Sequence, residues 1–478
     1  MTTDFFNYQG DTLYCDQVPL AEIAARAGTP CYVYSAGAIL ARIRAYDEAL
    51  AGLEHRVCYA VKANSNLAVL ALAARAGAGF DIVSGGELFR VLKAGGDPAR
   101  IVFSGVGKTA AEIEYALDQR IHSFNCESEA ELALLDALAA RRGVKARVAL
   151  RVNPDVDAAT HPYISTGMRE HKFGIDMAQV EGVYQRASAL GNLKLEGVSC
   201  HIGSQILDLG ALMETVGKML ALAGRLRAAG LPIRHLDLGG GLGVAYTPDE
   251  RTPDPRAFAA AVRAQVEGHD LTLMLEPGRS IVAEAGVLLS RVLYRKRSPR
   301  KEFIVVDAAM TDLIRPALYN AHHEIIPLRR TALGTVRADV VGPVCETGDF
   351  LARDRDVANV LPGDYLAVCT AGAYGFVAAS NYNSRPRPPE VLVEGAAWRV
   401  VRARETFSDL VRGETPVFAQ PAASNSRIAA SSAFRSVSPV KARALRPARV
   451  NRISAGSAPL HFGSTEVMKA SSFLTRLR

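Results

Sequence analysis

The chain has 478 residues, 49% hydrophobic and 22% charged, with a formal charge of +7 and a mean hydropathy of +0.07. That is the profile of a soluble globular protein too long for one ordinary core, so two domains are expected. The charge excludes less than it first implies: residues 418–478 hold eight Arg, two Lys and one acid, Glu466, a net +9, leaving residues 1–417 at −2. A near-neutral protein with a basic tail is not a nucleic-acid binder by composition, and the tail, rich in Ser, Ala, Arg and Pro without periodicity, reads as disordered. The N-terminus lacks a basic segment followed by an apolar core, and no apolar run is long enough to span a bilayer, so neither secretion nor a membrane is expected. Cysteines at 15, 31, 58, 126, 200, 345 and 369 are odd in number and show no C-x-x-C spacing. This argues against disulfides and metal, and for the cytoplasm.

In chain order, "GDTLYCDQVPL" and "PCYVYSA" are strand-like and are expected to join a β domain. From residue 55 to about 280, short apolar runs alternate with amphipathic stretches. The runs are "RVCYAVKA", "AGFDIVS", "RIVFSG", "IHSFNCES", "ARVALRVNP", "LEGVSCHIGS", "IRHLDLGGG" and "LTLMLEPG". The stretches between them, such as "NLAVLALAARAG" and "SEAELALLDALAARRG", repeat apolar residues at helical spacing. Eight strand–helix units predict a closed (β/α)8 barrel over 34–283, ahead of an open doubly wound sheet. After residue 284, "GVLLSRVLYRKRS", "KEFIVVDAAM", "RADVVGPVC", "DYLAVCTAGAYG" and "EVLVEGAAWRVVRARE" are β-like and broken by Pro and Gly. They predict a second, mainly antiparallel domain made of 1–33 and 284–417. "YRKRSPRKE" (294–302) reads as a solvated interdomain turn and "HHE" (322–324) as a loop without metal-ligand spacing.

The polar residues cluster behind the apolar runs. Lys62, Asp81, Ser84, Ser104, Asn125, Glu127, Asn153, His201, Ser204, Gly239 to Gly241 and Glu276 all follow a predicted barrel strand, the end at which barrel enzymes assemble their sites. A strand-end lysine such as Lys62 either snorkels to water or is a desolvated amine with a lowered pKa, able to form a Schiff base. "HLDLGGGLG" fails the dinucleotide fingerprint, since Val244 stands where its last glycine belongs. After strand seven of a barrel, however, such a turn suits a phosphate. In "EPGRS", Glu276 and Arg279 form either a structural ion pair or a ring-nitrogen partner and an anion partner. His201 in "CHIGSQ" is by itself as well explained by structure as by chemistry. Taken together, a lysine, a phosphate cradle, a carboxylate for a ring nitrogen and a flat imidazole describe a pyridoxal phosphate pocket.

The ordered series "CYAVKANSN", "FDIVSGGE", "HPYISTG", "HKFGI", "CHIGSQ", "LDLGGGLG", "EPGRS", "CETGDF" and "AGAYGF" resembles the diaminopimelate decarboxylase family, of the alanine-racemase-like fold type, from about residue 5 to 416. The resemblance implies a barrel with a C-terminal β domain, pyridoxal 5'-phosphate as cofactor, and decarboxylation of meso-2,6-diaminopimelate to L-lysine. It implies that Lys62 carries the cofactor and that His201 lies against its ring. Asp81, Ser204, Gly239, Gly240, Gly241 and Gly278 would bind it with Arg279 and Tyr374, and Glu276 would hold its ring nitrogen. Arg279, Arg315, Tyr319, Glu346 and Tyr374 would contact substrate, and Cys345 would supply the proton. It further implies a homodimer in which "CETGD" enters the partner's pocket. The alternatives are decarboxylation of ornithine or arginine, whose cationic ends call for an acidic pocket, a racemase needing a second acid/base, and a non-catalytic cofactor carrier.

Overall fold

The computed structural model describes residues 3–156 and 172–416. The motif "HPYISTG", the first residue of "HKFGI" and the basic tail lie outside the described residues. The described residues up to Gly413 fold as one unit. Eight parallel strands follow the eight apolar runs: β1 His55–Ala60, β2 Gly79–Ile82, β3 Ile101–Phe103, β4 Ser123–Cys126, β5 Ala146–Asn153, β6 Leu193–Cys200, β7 His235–Asp237 and β8 Thr272–Leu275. Neighbours pair in sequence, and β8 pairs with β1 through Leu273 opposite His55, so the sheet closes. Each strand is buried on both faces by the barrel interior and the outer helices, which is why its sequence is a continuous apolar run rather than an alternating one.

The loops behind the strands end on helix caps. Asn66, Ser84, Ser128 and Asp254 accept from backbone amides two or three residues on, and Thr109 forms a reciprocal capping box with Glu112. Ser84, expected at the rim with the chemistry, is therefore a cap. Its hydroxyl accepts from the amide of Glu87. Glu127 is likewise structural: it receives Arg151 Nη1 at 2.9 Å and the amide of Gly174 at 2.9 Å.

The second domain is built round the long strand β9, Gly286–Arg297, which pairs antiparallel with Cys31–Ser35, Glu302–Val306 and Tyr365–Val368. Two pairings in this sheet are parallel, Glu302–Val306 with Thr335–Val341 and Cys31–Ser35 with Glu390–Glu394. The sheet is thus mostly, not wholly, antiparallel. Cys31–Ser35 lies in this sheet, so the expected domain boundary at Tyr34 falls inside its strand. The segment "GDTLYCDQVPL", expected to join the β domain, packs on this sheet without entering it. Phe6–Gln9, Thr12–Cys15 and Val18–Pro19 form a separate three-stranded sheet, whose Phe6, Leu13 and Val18 share an apolar cluster with Val33, Val287 and Leu289. The segment 294–302 is also not interdomain. Tyr294 to Arg297 continue β9, and the chain turns at Ser298, whose amide reaches the carbonyl of Lys301 at 2.8 Å, within the β domain. Among the described residues no helix is long and apolar enough to cross a membrane.

The two domains meet beside Lys62. The amide of Tyr374 donates to the Ala63 carbonyl at 2.8 Å, and Asn64 Nδ2 donates to the Gly372 carbonyl at 3.1 Å. Behind them buried Glu390 accepts from Tyr34 at 2.8 Å and from Asn66 at 2.9 Å. The "KANSN" stretch is therefore more than a turn into a helix. It begins in a short 3-10 segment, Val61–Ala63, and with Asn64 seats the β domain.

Candidate active site

A cavity of about 520 Å³ opens at the C-terminal end of the barrel strands. Its walls include Lys62, Ser104, Asn125, His201, Ser204, Gly241, Glu276, Gly278 and Arg279 from the barrel. The β domain adds Arg315, Tyr319 and Tyr374. Twelve residues scattered over more than 300 positions thus come together. Asp81, Gly239 and Gly240 lie behind this wall. Cys345 and Glu346 are not brought in: both are exposed and belong to no wall of this chain's cavity.

Lys62 Nζ donates to Asp81 Oδ2 at 2.7 Å, and Asp81 is fully buried in β2. The expectation of a lowered lysine pKa is corrected. Burial does act downward, but Asp81, Glu276 and Tyr374 outweigh it and raise the ammonium above its ordinary value. Those carboxylates come from other strands, which is why position at a strand end gave the wrong sign.

Glu276 is 7% exposed, and Ser104 Oγ and Asn125 Nδ2 each approach its Oε1 at 3.3 Å. Asn125 also donates to Asp237 Oδ2 at 2.9 Å. Burial, followed by the neighbouring Asp237 and Asp81, pushes the Glu276 carboxyl well above the usual range. Asp237, held by the amide of Gly239 at 2.9 Å, was not singled out in the sequence. An acid closing an otherwise apolar buried strand was the available signal.

The glycine turn is sterically obligatory. Gly239 has φ +64°, and a Cβ on Gly240 would stand 2.3 Å from the Glu276 carbonyl oxygen. The amide of Gly240 donates to His201 Nδ1 at 3.3 Å. This leaves the ring's proton on Nε2, and burial, aided by Arg151 and Lys62, keeps the imidazole neutral.

Above them sit two buried guanidiniums. Arg279 donates to the Tyr246 hydroxyl at 2.6 Å and to Ser204 Oγ at 2.9 Å, and lies 4.7 Å from the Tyr374 ring. Arg315 lies 4.3 Å over the Tyr246 ring and donates to His323 Nε2 at 2.8 Å. Among the described residues neither is bridged to a carboxylate. Tyr246 and His323 were missed in the sequence. Tyr246 had no pattern to mark it, and His323 was read as part of a bland loop.

These residues suit pyridoxal phosphate on their own chemistry. The glycine turn exposes backbone where a side chain would clash, Ser204 and Arg279 offer donors for an anion, Glu276 is a buried acid, and Lys62 supplies the amine. Fold and site together define a pyridoxal-dependent decarboxylase, and residues 36–283 match the family model for "Pyridoxal-dependent decarboxylase, pyridoxal binding domain". The diaminopimelate decarboxylase of Pseudomonas aeruginosa is 57% identical over 412 residues, covering 86% of this chain and 99% of its own. That of Vibrio cholerae is 53% identical over 409, covering 85% and 98%. Diaminopimelate decarboxylase from Helicobacter pylori, solved with L-lysine, superposes with a TM-score of 0.79 at 44% identity, covering 82% of this chain and 98% of its own. That from M. jannaschii, also with L-lysine, gives 0.83 at 37% identity, covering 87% and 99%. The chain belongs to the diaminopimelate decarboxylase family.

Proposed function

We propose that the chain decarboxylates meso-2,6-diaminopimelate to L-lysine and carbon dioxide, the last step of lysine biosynthesis, with pyridoxal 5'-phosphate as cofactor. The observation that carries this reading is the pair of buried guanidiniums, Arg279 and Arg315, in the same cavity as Lys62 and Glu276 and without carboxylate partners among the described residues. Buried cations without counter-charges are costly, and a substrate with two carboxylates, beside a cofactor phosphate, supplies the missing anions. Decarboxylation of ornithine or arginine fits less well, because their cationic end would face Arg315. Of the two acids that line the cavity among the described residues, Glu276 is on the floor, and Glu250 Oε2 is taken by the amides of Tyr246 and Thr247. A mere cofactor carrier needs neither Arg315 nor Tyr374.

The cofactor ring serves as the electron sink for the carbon that loses carbon dioxide. The chain's own residues prepare that site. Lys62 would hold the cofactor through its aldehyde carbon, with Asp81 beside the amine at 2.7 Å. Glu276 would keep a proton at the ring nitrogen, and the neutral face of His201 lies within the same cavity. Arg279 and the glycine turn would hold the phosphate, while Arg315, with Tyr319 and Tyr374 nearby, would receive the distal amino-acid head.

The proton donor and a contact for the distal amine come, in this reading, from a second copy. The segment around Cys345 is fixed from behind: Asp349 accepts from the amides of Met310 and Val344, each at 2.6 Å, and the Cys345 amide donates to Asn383 Oδ1 at 3.0 Å. A segment so fixed, yet exposing Cys345 and Glu346 away from its own cavity, supports a homodimer with shared sites. The seven free cysteines support a cytoplasmic setting. The test is carbon dioxide release by the purified, cofactor-loaded protein from meso-diaminopimelate, ornithine and arginine. Release from diaminopimelate alone is expected, and equal release from ornithine overturns the assignment.

A further inference from the structure

Arg315 opens the short helix Arg315–Tyr319, after which Asn320, at φ 51°, reverses the chain. The reversal brings His323 back against the guanidinium eight residues earlier. His323 is fully buried, and both its ring nitrogens are committed. Nδ1 lies 2.8 Å from the carbonyl oxygen of Cys369, which can only accept, so Nδ1 carries the proton. Nε2 therefore presents its lone pair, and Arg315 Nη1 donates to it at 2.8 Å. The loop behind is pinned by the Cys369 amide on the Glu324 carbonyl at 2.8 Å. Tyr246 completes the seat: its ring lies under Arg315, meets His323 edge-on at 5.2 Å between centroids, and turns its hydroxyl to Arg279. Arg315 makes no other side-chain hydrogen bond or ion pair among the described residues.

We propose that His323 is a positioning residue for substrate selection, fixing Arg315 by one nitrogen so that the rest of its guanidinium is presented to the distal carboxylate of the substrate. This rests on the reading given under "Proposed function". A neutral acceptor is what the task requires. A carboxylate here would neutralise Arg315 and compete with the substrate, whereas an apolar neighbour would leave a long side chain free to rotate away. Burial and the adjacent Arg315 hold the imidazole well below its ordinary pKa, so the lone pair persists at neutral pH.

Two substitutions separate this from a structural role. His323→Asn retains a donor for the Cys369 carbonyl but is too short to reach Arg315, whereas His323→Gln places an acceptor near the position of Nε2. For the cofactor-loaded enzyme the Asn variant is expected to raise KM for meso-diaminopimelate about 10- to 100-fold, the range for losing a hydrogen bond to a charged group, with kcat within a few-fold. The Gln variant should recover most of that loss. L-lysine retains the distal head, so its binding, measured by calorimetry, should weaken by the same factor in the Asn variant. In an Arg315→Ala background, His323→Asn should have no further effect on KM. Equal KM values for Asn and Gln, a loss confined to kcat, or full additivity with Arg315→Ala overturns the inference. Should the wild-type enzyme release no carbon dioxide from diaminopimelate, the functional reading fails first. A wild-type enzyme that does so, paired with a His323→Asn variant of unchanged KM, defeats the positioning role alone.

Discussion

Replacing Glu276 by Gln tests the floor of the site from two directions. Gln keeps the shape of the protonated acid and can still donate to Asp237, but it can never carry the charge that a protonated ring nitrogen requires. The carboxylate is 7% exposed, and its two side-chain donors are long, at 3.3 Å, so little else in the pocket can substitute for it. Removing the partner of a buried charge costs about 2–5 kcal/mol, and kcat for carbon dioxide release should fall roughly 30- to 4,000-fold. The stability of the cofactor-free protein should move the other way. Burial and the neighbouring Asp237 and Asp81 raise the folded-state pKa of Glu276 above its ordinary 4.5, so above pH 4.5 the folded protein retains a proton that the unfolded chain has lost. The stability contributed by that proton is complete below pH 4.5 and is lost as pH rises through the folded value. Gln has no such loss, so the melting temperature of the variant minus that of wild type should grow from pH 5 to pH 8. A kcat within threefold of wild type, or a difference that shrinks toward pH 8, would refute the reasoning.

Three further outcomes are expected. Lys62→Ala should abolish the visible absorbance of lysine-bound cofactor and essentially all turnover while far-ultraviolet dichroism is unchanged, and a variant with full activity would remove Lys62 from the chemistry. Arg315→Ala should raise KM for meso-diaminopimelate by roughly 30-fold or more, on the same cost of about 2–5 kcal/mol for an unpaired buried charge. An equal rise for an amino acid lacking the distal carboxylate would make Arg315 structural. Lys62→Ala and Cys345→Ala proteins, mixed and exchanged, should regain about a quarter of wild-type sites, because about half the dimers are mixed and each holds one intact site. Confirmed exchange by mass without regained activity would contradict sites shared between subunits.

The barrel was legible because its strands are buried on both faces, and a run such as "RVCYAVKA" advertises that burial without any partner being known. The glycine turn and Glu276 were legible for a related reason, since residue types so constrained have few uses at a strand end. What escaped was whatever depends on a neighbour from elsewhere in the chain. Ser84 has the same local look as Ser104, yet one caps a helix and the other faces Glu276. The Lys62 amine is raised by acids on β2 and β8 that its own strand does not reveal. Pairing direction in the second sheet, where Glu302–Val306 runs parallel to Thr335–Val341, is set by crossovers and leaves no mark on the strand sequences. Tyr246 and His323 become meaningful only once Arg315 has been placed between them.

The division of charge across the cavity explains why two domains are needed. Asp81, Asp237 and Glu276 stand on or near the ends of β2, β7 and β8, so the barrel floor is acidic and suits a cationic ring and an amine. Arg279 stands at the rim, and Arg315 comes from the second domain, held by His323 and covered by the barrel's Tyr246. Seating it on the β domain, and joining that domain to the barrel at Ala63 and Asn64 beside the reactive lysine, keeps the cation near the chemistry without neutralising it. On the proposed reading, the barrel supplies what any amino-acid decarboxylation requires, and the β domain supplies the selection of a substrate with a second carboxylate. Substrate preference should therefore respond to changes around Arg315 and His323 more than to changes among the floor acids, whose loss should instead depress turnover on every substrate alike.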